Sequence, residues 1–150
     1  MISAAPPAGR FDGDVHRFAL RVYFEDTDLS GVVYHANYLR FMERARSDML
    51  RAVGIDQRAA FESGEGAWAV TDVALRFIAP ARLDDALTVE SRTRRVRGAS
   101  VEIAQRIVRD GALLVDAQVT AAFVSPTGRA RRMPAGWADA FRHTIAPEEA

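Results

Sequence analysis

Residues 35–53 read HANYLRFMERARSDMLRAV, and along them Leu39, Met42, Ala45, Met49, Leu50 and Val53 recur three and four positions apart. That spacing lines apolar side chains along one face of a long helix spanning about His35 to Val53. Gly54 supplies a left-handed stop after Val53, and Asn37 stands where a cap is expected. Upstream, Val15 to Glu25 has the pattern of an extended segment. Downstream lie a turn-rich patch around Phe61 to Gly66 and four strand-like runs: Trp68 to Ile78, Ala86 to Arg97, Ser100 to Arg109 and Ala112 to Val124.

Gly98-Ala99 and Asp110-Gly111 are two-residue hairpin links, so the last three runs form an antiparallel meander. Alternation is clearest in Val101, Ile103, Gln105, Ile107 and in Leu113, Val115, Ala117, Val119, Ala121, Phe123, which buries one face of the sheet. Only one apolar element is large enough to cover that face. The expected fold is therefore α+β: a curved antiparallel five-stranded sheet wrapped around one long central helix, the hotdog arrangement. A short helix is expected within Pro134 to Phe141.

The chain has 150 residues, about half of them apolar, which suits a single domain with a real core. We place that domain at residues 16–142, with flexible tails at 1–15 and 143–150. Its 20 basic and 20 acidic side chains cancel, so no broad field draws it to nucleic acid. All the basic residues are arginine, which removes Schiff-base and Walker-type lysines. With no cysteine there is no disulfide, thiolate catalyst or cysteine-ligated metal. The start of the chain lacks a signal-peptide pattern, and no stretch has the length of a membrane span, so a soluble, cytoplasmic protein is expected.

Candidate chemistry concentrates in RVYFEDTDLSGVVYHANY, residues 21–38, at the junction between extended segment and helix. A helix start offers unpaired N–H groups and a positive dipole end, which suit a developing oxyanion. A nearby carboxylate, Asp28, can attack a carbonyl or activate water, with Gly31 allowing the tight turn between them. The same residues also fit plainer roles. Asp26, Thr27 and Asp28 are ordinary turn and cap residues, and His35 alone suits a half-buried packing position. Asp26, Asp28, His35 and Glu43 match no dedicated metal loop, so no metal and no cofactor are expected.

The ordered pattern R-V-x4-T-D-x2-G-V-V-Y-H-x-N-Y resembles the signature of the 4-hydroxybenzoyl-CoA thioesterase family, particularly its YbgC-type branch associated with the Tol-Pal envelope system. The likeness continues through FMERAR (Phe41 to Arg46) to RRMP (Arg131 to Pro134), over about residues 16–142. It implies a hotdog acyl-CoA thioesterase in which Asp28 is nucleophile or general base and the backbone N–H of His35 grips the carbonyl oxygen. In this branch the His35 imidazole is implicated too. Gly31, Tyr34, Asn37, Tyr38 and Glu43 would position or line the substrate site, and Arg131 and Arg132 would meet coenzyme A phosphates. The resemblance implies an acyl-CoA or acyl carrier protein thioester as substrate, no stable membrane insertion, and edge-to-edge homodimers or homotetramers with sites between subunits. The alternative is a non-catalytic acyl-CoA-binding protein or an envelope-associated accessory partner. One departure is Phe24, where the branch often has tyrosine; Tyr23 is its neighbour, and alternation along a strand would aim the two apart.

Overall fold

In the computed structural model, which describes residues 4–145, a six-stranded antiparallel sheet wraps one long helix. The strands are β1 (Arg10–Asp12), β2 (Val15–Arg21), β3 (Ala67–Phe77), β4 (Ala86–Val96), β5 (Ser100–Arg109) and β6 (Ala112–Val124). The helices are α1 (Asn37–Ala52), α2 (Gln57–Glu62) and α3 (Trp137–Arg142), and the sheet order is β1-β2-β4-β5-β6-β3.

The meander forms as its turn residues require. Arg97 N–H donates to the Ser100 carbonyl across Gly98-Ala99 (2.8 Å). Asp110 and Gly111 take φ of 50° and 81°, the paired left-handed conformation of a tight hairpin. A register shift after Ile107 pairs Val108 with Leu113, and the residue passed over, Leu114, joins Val115 in the core.

Helix α1 turns Tyr38, Phe41, Met42, Ala45, Met49 and Leu50 inward, whereas Leu39 is 42% exposed. The buried stripe is thus rotated toward the aromatic side chains relative to the sequence reading. Phe41 and Met42 meet Leu87, Val89, Ile107 and Val115. Each such side chain contributes about 1.5–3 kcal/mol on burial. A polar tie crosses this core: Gln105, fully buried, donates to the Met42 carbonyl (3.0 Å) and Ser91 Oγ (2.9 Å) and accepts from Arg46 (2.8 Å).

Several expectations need correction. The sheet has six strands because Arg10–Asp12, assigned to a flexible tail, pairs with β2. That hairpin is held further by Asp48, whose carboxylate accepts the Gly9 N–H and the fully buried His16 Nε2–H, both at 2.8 Å. At the other end Thr144 bonds Thr93 (3.2 Å), so the body extends past residue 142; residues 1–3 and 146–150 of the expected tails lie outside the described residues. The extended segment stops at Arg21, and Phe24–Asp26 is a 3-10 turn. Strand alternation therefore does not decide how Tyr23 and Phe24 point, and both are exposed. Helix α2 occupies Gln57–Glu62, capped by Asp56; it runs into the start of the patch expected as turns around Phe61 to Gly66, and no helix was expected there.

Candidate active site

Asp28 lies on a loop closed at its base by the antiparallel bridge Thr27–Val33. Within it, Asp28 N–H donates to the Val32 carbonyl (2.9 Å) and Gly31 N–H to the Asp28 carbonyl (3.1 Å). Gly31 has φ of 81°, a conformation that disfavours a Cβ, which accounts for glycine at this corner. The Asp28 carboxylate is exposed and accepts Ser30 Oγ–H (2.5 Å) and Ser30 N–H (2.8 Å). These two bonds, the hydroxyl first, hold its carboxyl below the usual carboxylate range. Asp28 is thus an ionised group at neutral pH, as a nucleophile or base must be.

Asp26 ties this loop to the start of α1. Its carboxylate accepts Tyr23 N–H (2.8 Å), while its carbonyl accepts both Tyr34 N–H (2.8 Å) and Asn37 Nδ2–H (3.1 Å). A single buried residue, two positions before Asp28, therefore grips the chain on either side of His35. Asn37 serves this purpose and is not the cap; the cap residue is Ala36, and α1 opens two positions after His35. Among the described residues, the N–H groups of His35 and Ala36 take part in no hydrogen bond. They are the free donors at the positive end of the helix.

Around this end, Tyr38 OH accepts Ala81 N–H (3.0 Å) and the Ala81 carbonyl accepts Val33 N–H (2.8 Å), which seats the 78–85 loop behind the site. The His35 ring packs on Tyr34 (4.4 Å between centroids) and edge-on to Phe77 (6.4 Å), the last residue of β3. The predicted residues Asp28, Gly31, Tyr34, His35, Asn37 and Tyr38 are thus contiguous.

The remaining three lie elsewhere. Glu43 lines a cleft farther along α1, beside Arg46, and makes no hydrogen bond to the motif among the described residues. Arg131 donates to the Gly64 and Glu65 carbonyls (3.2 and 2.7 Å), bracing the chain after β6 against the end of α2. Arg132 is exposed beside Gly98. Sequence reading missed the roles of Asp26 as a knot and Ser30 as a partner. The spacing Asp28-x-Ser30 was the available signal, since Asx residues bond two positions onward.

Residues 22–143 match the family model of the thioesterase-like superfamily. The chain belongs to that family. It is 43% identical over 107 residues to the acyl-CoA thioesterase YbgC of Haemophilus influenzae, covering 71% of this chain and 79% of that protein. Against the acyl-CoA thioester hydrolase YbgC of Escherichia coli O6:H1, identity is 43% over 111 residues, 73% of this chain and 82% of that one. A probable thioesterase from Bartonella henselae superposes with a TM-score of 0.76 at 39% identity, over 80% of this chain and 99% of that one. The hotdog architecture and the enzyme class read from the motif agree with these likenesses.

Proposed function

We propose that this protein hydrolyses acyl-CoA thioesters at Asp28. The thioester carbonyl sits against the free N–H groups of His35 and Ala36, which stabilise the oxyanion as it forms. Asp28 either adds to the carbonyl carbon or takes a proton from the water that does. By either route one water is consumed, the C–S bond breaks, the thiol of coenzyme A leaves with a proton, and a carboxylic acid remains. The observation that carries this reading is the double grip of the Asp26 carbonyl, which fixes the loop bearing an ionised Asp28 to a helix start with unclaimed donors. An acyl-CoA substrate favours a cytoplasmic location for the protein.

A second copy of the chain completes the site. Strand β3 is eleven residues long, lies at the sheet edge, and carries exposed Val70, Val73 and Phe77. Long bare edges of this kind favour pairing with another strand. Because Phe77 touches His35, a partner along β3 would wall in the helix start that one chain leaves open. Arg132 is better placed than Arg131 for a phosphate, since Arg131 is already engaged by carbonyls.

The test is release of free thiol from short, long and aromatic acyl-CoAs and from an acyl carrier protein thioester. Turnover with at least one CoA ester is expected. Binding of CoA esters without thiol release would instead make the protein a carrier.

A further inference from the structure

We infer that Trp68 is the end wall of the acyl channel, so that its indole sets the longest straight-chain acyl group the enzyme accepts. The inference rests on the thioesterase reading above and adds the substrate class: an aliphatic chain bounded at its far end, not an open-ended one.

Two cavities abut across this residue. The inner one, of about 120 Å³, opens between Glu43, Arg46 and Ser47 of α1 and is floored by Ile103, Ala121 and Phe141. The outer one, of about 440 Å³, runs along Phe61 of α2 to Phe123 and Trp137. Trp68 and Gln57 border both. Strand register explains the sequence of spaces. Val70 pairs with Ala121 beside the inner cavity, Trp68 pairs with Phe123 at the divide, and Ala67 pairs with Val124 toward the outer one. Same-face residues two apart on a strand are about 6.6 Å apart, so the divide is one side chain thick.

The indole is held there by other rings. It stacks on Trp137 (6.1 Å, 21°) and lies edge-on to Phe123 (5.5 Å) and Phe141 (5.8 Å). The mouth at Glu43 lies six residues into α1, about 9 Å along the axis from the helix start at 1.5 Å per residue. A chain leaving a carbonyl held at that start therefore runs along the helix, and only its far end enters the inner cavity. A cavity of about 150 Å³ holds a benzene molecule, so the inner space takes roughly the last six carbons. Burial lowers the Arg46 guanidinium pKa and the Glu43 charge raises it; the guanidinium stays charged, and the two side chains place a polar rim at the mouth of the cavity.

The experiment is kcat/KM across the straight-chain acyl-CoA series from butanoyl to hexadecanoyl for the full-length protein, Trp68→Ala and Ala121→Leu. The wild type is expected to show a sharp upper limit, with a loss of about tenfold or more for the first methylene beyond it. Trp68→Ala joins the two cavities and moves the limit to longer chains, and Ala121→Leu fills the inner one and moves it to shorter chains. The same limit in all three proteins, or no limit, overturns the inference. If Trp68→Ala does not fold, Ala121→Leu decides alone: a shortened limit supports the end wall and an unchanged one refutes it. If the wild type cleaves no acyl-CoA, the thioesterase reading fails separately. Tryptophan fluorescence titrated with the same series then judges the wall, with chain-length-selective quenching in support and a length-independent response against.

Discussion

Ser30 lowers the carboxyl pKa of Asp28, and that has a direct kinetic signature. A catalytic carboxylate must be deprotonated, so a depressed carboxyl pKa extends activity toward acid. Ser30→Ala removes the hydroxyl bond and is expected to move the acid limb of the kcat/KM profile to higher pH, read from a pH series with one acyl-CoA. His16 titrates in the opposite setting. Burial holds its pKa below the ordinary histidine value, against the raising effect of Asp48. Below the ordinary range the unfolded chain then binds more protons than the folded one, so stability present above that range is lost beneath it. The thermal midpoint should fall between about pH 7 and pH 5, and fall less in His16→Asn. The motif made Asp28 legible in the sequence. His16 was not, because a single histidine on a strand carries no sign of a carboxylate 32 positions away.

At the level of elements, α1 does two jobs that separate by mutation. Phe41→Ala removes a fully buried ring facing Leu87 and Ile107 and should cost about 3–5 kcal/mol in chemical denaturation. Asn37→Ala instead frees the buried bond to the Asp26 carbonyl. It should cost about 1–3 kcal/mol and lower kcat as well, since the Asp28 loop loses its second tether. Periodicity located α1 to within two residues, and the hairpin links located β4, β5 and β6. It did not give the rotation of the helix, because Tyr38 and Phe41 face a sheet whose curvature only the fold supplies. Strand β1 escaped notice for a similar reason: three residues have no readable period, and their place is fixed by Asp48 gripping Gly9. For Glu43, helical spacing gave a face of α1 and not the cleft that face meets.

For the whole molecule, the account depends on pairing along β3. Sedimentation should give at least twice the 16.5 kDa chain mass. Val73→Lys places a charge on the bare edge and should yield a folded, inactive monomer by the same measurement. Assembly is an expectation from the family resemblance and from the bare edge of an isolated sheet, and the exposed β3 residues and the His35–Phe77 contact say which edge it would use. The central claim is chemical, and the most direct measurement is the rate of CoA release by Asp28→Asn in the assembled protein, which keeps the side-chain shape and removes the charge. A fall of about 10²- to 10⁴-fold with unchanged fold and assembly is predicted, whereas release near the wild-type rate would contradict the assignment of Asp28.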